Sequence, residues 1–412
     1  MTTLVARTGE VGAVPDLLGA ASTPDGIVWH DDRGSLAGRG QAVRIDLPSG
    51  LADRDGVRRV ADILDAIETD DALRLPGTGP VALGSLPFDP AAPAHLVVPE
   101  VIWGQRGGRA WVTTVAPPGE TPRPPDLGDV AAGEPPDEFA MVSSYSHPEW
   151  RALIDEAVAR IRAGALDKVV LARRVDVTAN RPFLIPDVLA RLVALYQSCM
   201  VFHVDGFLGA SPELLIERRG DAVASHPLAG TVARSGDAVS DEALVAGLMG
   251  SLKDRWEHRL VIDMLSAALG AQCRTLDVPD RPTVLGLRNV SHLATHLSGT
   301  LAADASGRVP TALELAADVH PTPAIGGVPT KDAIAHIQAV EGFDRRGYAG
   351  PVGWVDSRGD GVFAVGIRCA QVDGPHAAMF AGVGVVADSD AAAELAETQL
   401  KLQALLAALV RP

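Results

Sequence analysis

The chain has 412 residues, of which 47% are hydrophobic and 21% charged, and its formal net charge is −16. It is long enough for two average domains or one large one, and too apolar for a disordered protein. The acidity argues against nonspecific binding to nucleic acid or to an anionic membrane, and an anionic substrate would need a local cation.

Residues 1–115 mix short apolar runs with turn formers and read as mainly strands, with one helix near 57–68. Residues 116–137 are rich in Pro and Gly, as expected of a surface connection. Ser146-His147-Pro148-Glu149 opens a helix, with a capping Ser and a Pro in the first turn. Trp150, Leu153, Ile154, Ala157 and Ile161 follow at helical spacing, and Gly164 ends it. A strand begins at Lys168. A helix near 186–197 leads to strands at 200–208, 212–218 and 222–226. One long helix is predicted from about Asp241 to Leu269, β segments near 283–303, and helices near 310–341. Three β-rich stretches over 351–387 follow, then a last helix from about Ser389 to Leu409. Strands cluster and βαβ alternation is missing, which predicts an α+β fold: a large, mainly antiparallel β-sheet core flanked by helices. Residues 1–115 would pack into the same domain as 140–412. Cys199, Cys273 and Cys369 form no CxxC pair, so a reducing cytoplasm is expected. Residues 1–7 carry no apolar run of signal-peptide length, and no run is long enough to span a bilayer. No feature suggests a partner chain, and a monomer is expected.

Of 36 Lys and Arg together, only Lys168, Lys253, Lys331 and Lys401 are lysines. Arg cannot act as a base and Lys can, so the lysines mark positions to question. Lys168 heads an apolar strand, Lys168-Val169-Val170-Leu171-Ala172, and is either a structural oddity or a catalytic amine. Asp254 and Glu257 lie three apart on one predicted helix, and Glu394 and Glu397 three apart on another, with Lys401 a turn further along. These are two solvated helix faces, or an oxygen-ligand site for Mg²⁺. Gly382-Val383-Gly384 precedes the last helix, where its amides could hold an anion. His292 and His296 lack the Glu of a zincin helix and are not expected to bind zinc. Arg368, in a strand, reads as a paired structural charge or a carboxylate clamp.

In order along 140–410 stand Lys168-Val169-Val170-Leu171-Ala172-Arg173, Gly209-Ala210-Ser211-Pro212-Glu213, Pro227-Leu228-Ala229-Gly230-Thr231 and Lys253-Asp254-Arg255-Trp256-Glu257-His258. They are followed by His292-Leu293-Ala294-Thr295, His320-Pro321-Thr322-Pro323-Ala324, Ile367-Arg368, Gly382-Val383-Gly384 and Glu394-Leu395-Ala396-Glu397. Together these resemble the chorismate-utilising enzymes of menaquinone, siderophore and tryptophan synthesis. Within that family the members that add water carry a lysine at the position of Lys168, and the aminating ones, anthranilate synthase for example, lack it. Ala324 is similar to isochorismate synthases, where salicylate synthases tend to carry Thr. Gly84-Ser85-Leu86-Pro87-Phe88-Asp89-Pro90 resembles a run in siderophore-type members.

The resemblance implies a Mg²⁺-dependent isochorismate synthase, an isomerase acting on chorismate; salicylate synthase and an aminating synthase are the alternatives. It implies Lys168 as general base and Glu213 as general acid. Lys168 would have to spend time neutral, through burial or a neighbouring cation, and Glu213 would need a raised pKa. Glu257 and Glu397, with Asp254 and Glu394 directly or through water, would hold Mg²⁺ against the ring carboxylate. Arg368 and Tyr348, helped by amides of Gly382 and Gly384, would grip the enolpyruvyl carboxylate. Gly230, Thr231, His292 and Ala324 would line the ring, with the role of His292 open between acid–base and orienting. Lys401 and Lys253 would offset charge near the metal, and Lys331 would lie on the surface.

Overall fold

The computed structural model describes residues 3–120, 122–124, 127 and 133–410, so part of the Pro- and Gly-rich stretch lies outside the described residues. Side-chain alternation decides the architecture. In the strand Ile27–Asp31, Ile27 and Trp29 enter one apolar core and Val28 enters another. In Met200–Val204, Met200, Phe202 and Val204 enter the first core and Val201 the second. A strand with period-2 alternation and no polar face belongs to a sheet covered on both sides.

That sheet has 13 strands, twelve in one path and Gly327–Val328 paired beside it to Lys168–Ala179. Its order runs from Phe139–Ser143 through Lys168–Ala179, His376–Val385, Cys369–Asp373, Phe207–Ser211 and Met200–Val204 to Ile27–Asp31. It continues through Gly34–Arg39, Val101–Arg106, Arg109–Ala116 and Val5–Val11 to Glu68–Asp71. Only the last pairing is parallel. A second sheet of nine strands also mixes early and late segments: Val43–Leu47, Ala94–Val98 and Val81–Ser85 continue into Pro351–Asp356, Gly361–Val365 and Leu214–Arg219. Strands from before residue 116 and after residue 139 thus share both sheets. The larger core takes side chains from both sheets. The smaller one lies on the other face of the 13-stranded sheet. A third sheet of three strands joins Leu228–Ala233, Val290–Ala294 and Thr283–Gly286.

The helices are α1 (Arg54–Asp65), α2 (His147–Arg162), α3 (Ile185–Leu195), α4 (Ala238–Gly250), α5 (Leu252–Gly270), α6 (Ala312–Val319), α7 (Thr330–Val340) and α8 (Ala391–Val410). α2 opens as the sequence indicates, with Ser146 and Glu149 forming a reciprocal capping box. The single long helix expected over 241–269 is two helices. Gly250 ends α4, Ser251 turns extended, and its hydroxyl accepts from the Asp254 amide to start α5. The expected strand 200–208 is a hairpin, because Asp205 and Gly206 both take positive φ. No described helix is long and apolar enough to cross a membrane.

One buried ion pair ties several of these elements together. Glu341, just past α7, accepts from the Ala172 amide at 2.7 Å, and Arg345 Nε donates to its other oxygen at 2.8 Å. Arg345 also donates to Ile325 O at 2.9 Å and to Val170 O at 2.7 Å, and its guanidinium lies 4.2 Å over the Phe88 ring. Both side chains are 3% exposed. Removing one partner of such a pair strands the other charge, so Glu341→Leu is expected to cost about 3–5 kcal/mol in urea denaturation. Adding Arg345→Met should recover part of that loss. A cost below about 1 kcal/mol in the single variant would mean the pair does not hold the fold.

Candidate active site

Two chain crossings between the large sheets make the floor of the site. The chain leaves the 13-stranded sheet at Ser211 and joins the nine-stranded one at Leu214, with Glu213 in between. It returns between Val365 and Cys369, with Arg368 in between. The crossings lie side by side, since the Val365 amide donates to Glu213 O and the Ala210 amide to Arg368 O, both at 3.1 Å. Arg368 takes φ +52°, a left-handed conformation that a non-glycine residue holds only when its surroundings fix it.

Above the crossings opens a cleft of about 820 Å³, including its mouth. Of the candidates from the sequence, Glu213, Gly230, Thr231, Asp254, Glu257, His292, Ala324, Tyr348, Arg368, Gly382, Gly384, Glu394, Glu397 and Lys401 all line it. Lys168 does not reach its surface. Its backbone lies between Val328 and the strand His376–Val385, and its side chain is fully buried. Lys168 Nζ lies 2.8 Å from Glu257 Oε1 but makes no well-directed hydrogen bond among the described residues. Of the two conditions the sequence reading offered, burial is present, while the charged neighbour is an anion and not a cation. A buried amine with unfilled donor positions is costly unless another molecule meets it.

The first two turns of α5 and α8 supply the carboxylates. Lys168 pairs with Glu257, Lys253 with Glu394 at 3.1 Å, and Lys401 with Glu397 at 2.6 Å; Lys401 also donates to Gly382 O at 2.8 Å. Lys331 is exposed, at the start of α7. Burial, reinforced by the Glu257 and Glu397 charges, raises the Asp254 pKa, and burial with Glu397 raises that of Glu394. As the side chains lie, no three His, Cys, Asp or Glu among the described residues stand at ligand spacing. The fit to Mg²⁺ is one of donor chemistry: four carboxylates on two helices around one cleft, two of them held against their preference to ionise.

Burial pushes the Glu213 carboxyl up to about 7, although the Leu228 backbone, Arg368, Lys168 and Lys401 pull it back. His292 is buried, and its Nδ1 lies 3.2 Å from Gly230 O and 3.1 Å from Thr231 Oγ1, with Nε2 3.0 Å from Arg368 Nη2. Gly230 (φ +70°) is a close approach, since a Cβ there would stand 3.0 Å from Asp254 Cβ. Tyr348 stacks on Phe380, ring centroids 5.2 Å apart. Gly382 and Gly384 lie in the strand His376–Val385 and not in a loop before α8. Their service is space: a Cβ at Gly382 would stand 2.6 Å from the Tyr348 hydroxyl, and one at Gly384 would collide with Glu257 Oε1. His258 turns away from the cleft, its Nε2 2.7 Å from Thr295 Oγ1.

Sequence reasoning missed the Glu341–Arg345 pair behind Tyr348 and Val170; its one signal was i,i+4 spacing beyond a helix end. It also missed Arg173, whose Nη1 donates to Thr398 Oγ1 at 2.9 Å and so anchors α8 to the Lys168 strand.

Residues 128–410 match the sequence model of the chorismate-binding enzymes. The isochorismate synthase DhbC of Bacillus subtilis is 36% identical over 80% of this chain and 81% of its own. The isochorismate synthase EntC of Escherichia coli is 35% identical over 79% and 80%. The solved structure of MenF, the menaquinone-specific isochorismate synthase of Escherichia coli, superposes with a TM-score of 0.80 at 26% identity, over 100% of this chain and 96% of that one. The chain belongs to the family of chorismate-binding enzymes.

Proposed function

We propose that the protein is an isochorismate synthase. The observation that carries this reading is the buried, donor-unsatisfied Lys168 amine, behind Glu257 in the wall of the cleft, together with a Glu213 carboxyl in that cleft that stays half protonated near neutrality. Two proton movers are what the reaction needs. Water adds at C2 of the ring, the C4 hydroxyl leaves as water and the double bonds shift, so nothing is oxidised or reduced. Lys168 takes a proton from the incoming water, and Glu213 gives one to the departing hydroxyl. The lysine's presence favours water over ammonia as nucleophile, in line with the family pattern.

Arg368 and Tyr348 orient the enolpyruvyl carboxylate, and Gly230, Thr231 and Ala324 shape the wall against the ring. Glu257 and Glu397, with Asp254 and Glu394 directly or through water, would hold Mg²⁺, which when bound supplies positive charge to the ring carboxylate. For Glu257, Glu394 and Glu397 to turn to a cation they would have to leave their lysine partners.

Purified protein with chorismate and Mg²⁺ is expected to yield isochorismate on chromatography; salicylate or an ammonia-dependent product would replace this reading with one of its rivals. Lys168→Gln should lose on the order of 10²–10⁴ in kcat. Near wild-type turnover in that variant would remove the general base, and undiminished turnover in demetallated buffer would remove Mg²⁺.

Glu213 works as an acid only while protonated, so kcat/KM should fall as pH rises through about 7. The same shift acts on stability. The folded-state pKa lies above the ordinary value of 4.5, so stability present below pH 4.5 is lost as pH rises to about 7. The loss amounts to about 3 kcal/mol. Glu213→Gln should therefore be inactive and, relative to the parent protein, gain stability between pH 4.5 and 8. An unchanged gap across that range in denaturant titrations would show that the carboxyl is not held in its acid form.

A further inference from the structure

We infer that His292 is a positioning residue: a fixed hydrogen-bond acceptor that aims the Arg368 guanidinium into the cleft, and not a carrier of protons. The inference rests on reading Arg368 as the holder of a substrate carboxylate.

Arg368 lacks, among the described residues, the acidic partners that Arg345 and Arg358 have. Arg345 spends its donors on Glu341 and two carbonyls, and Arg358 lies against Asp356 and Asp71. Among the described residues no carboxylate lies within salt-bridge distance of Arg368, and its one recorded side-chain partner is His292 Nε2 at 3.0 Å. An arginine has five N–H donors, so most remain for a ligand. The left-handed backbone at Arg368 fixes where the side chain starts but not where a flexible stem of three methylenes ends. A guanidinium left without an anchor gives up rotamer entropy when it closes on an anion, and an anchored one has already done so.

The anchor is fixed from both ends. Arg368 keeps its protons, so the nitrogen facing it must offer a lone pair. At the other end Nδ1 stands 3.2 Å from Gly230 O, and a carbonyl can only accept. The ring proton is therefore on Nδ1 and the lone pair on Nε2, a tautomer set by the two hydrogen bonds together. The backbone is built for this contact. The pairing of Leu228–Ala233 with Val290–Ala294 shifts register between Ala229 and Thr231, and Gly230 carries the bulge at φ +70°. Thr231 Oγ1, 3.1 Å from Nδ1, closes the same side. A second proton would set an imidazolium against a guanidinium in a buried site, and burial together with Arg368 holds His292 well below its usual pKa. Both nitrogens are occupied, so the ring has no free site to trade a proton with a substrate.

The test compares two substitutions with the parent enzyme in steady-state turnover of chorismate. The amide oxygen of His292→Gln can stand where Nε2 stands and accept from Arg368, but a carboxamide cannot carry a proton. His292→Leu keeps bulk and removes the acceptor. The glutamine variant is expected to retain kcat/KM within roughly tenfold, whereas the leucine variant loses about a hundredfold, mainly through KM. Equal collapse of kcat in both, with KM unchanged, would overturn the inference and make His292 a proton carrier. The second measurement does not depend on turnover. Side-chain ¹⁵N spectra of the parent protein, with His292 assigned by its loss in the glutamine variant, should show the proton on Nδ1. A proton on Nε2 overturns the inference whatever the enzyme makes. If the parent protein leaves chorismate unchanged, the functional reading fails while the spectra still decide the tautomer.

Discussion

The Glu341–Arg345 ion pair is the constraint on which the rest of the site depends. Arg345 reaches the strand that carries Lys168 through Val170 O, the turn that carries Ala324 through Ile325 O, and the ring of Phe88 from the N-terminal quarter of the chain. Glu341 reaches the same strand through the Ala172 amide. The pair thus joins segments far apart in sequence, with every contact a directional hydrogen bond or a stacked face. An apolar filling of equal volume would cost less to bury, since two charges leave water to make this contact. It would not specify which backbone carbonyls meet, and the cleft needs the Lys168 strand and the Ala324 turn at fixed spacing.

The crossings between the sheets explain why the reactive groups lie where they do. Within either sheet a side chain points to one face or the other, and both faces of the 13-stranded sheet are packed with apolar groups. A charged residue inside such a strand needs a polar partner brought to it, as Thr398 is to Arg173 and Glu257 to Lys168. Where the chain leaves one sheet for the other, alternation lapses, and Glu213 and Arg368 fall in those lapses. The backbone there is irregular, held by the Val365 and Ala210 amides and by close packing at Gly209, where a Cβ would stand 2.7 Å from Arg368 O. The same irregularity leaves Glu213 enclosed, and enclosure is what raises its pKa.

Much of this was legible in the sequence, and the failures have physical causes. Helical periodicity and capping chemistry placed α2 closely, because Ser146 and Glu149 satisfy each other locally. The clustering of strands gave the α+β class. Periodicity could not say that there are two large sheets, since a strand buried on both faces looks alike in either. It ran α4 into α5 because the break at Ser251 costs one residue of pattern and lies between two helical stretches. Residue chemistry singled out Lys168 and the two i,i+3 carboxylate pairs; the cleft gathers the carboxylates, and Lys168 meets one of them, Glu257, from behind. Composition could not tell that the neighbour of Lys168 is an acid, because Glu257 lies 89 positions away by its number and meets it only in the fold. Gly382 and Gly384 misled for a related reason: glycine signals either a free amide or a missing Cβ, and only packing against Tyr348 and Glu257 shows the second.

The scarcity of lysine takes on meaning at this site. Asp254, Glu257, Glu394 and Glu397 line one cleft with Lys253, Lys401 and Arg368, and Lys168 lies behind Glu257, four formal negative charges against four positive. With Glu213 protonated the cleft is close to neutral, although the protein as a whole stands at −16. Neutrality of this kind holds the carboxylates apart without drawing in a dicarboxylate, and the long-range field of the chain repels one. Under the proposed function, a divalent cation held by these carboxylates would add two positive charges to the cleft, matching a dianion. Lysine holds a carboxylate as a point charge on a flexible stem, more loosely than the bidentate fork of arginine. Arg368, the one arginine in the set, is also the one anchored by a neutral acceptor and not by an acid.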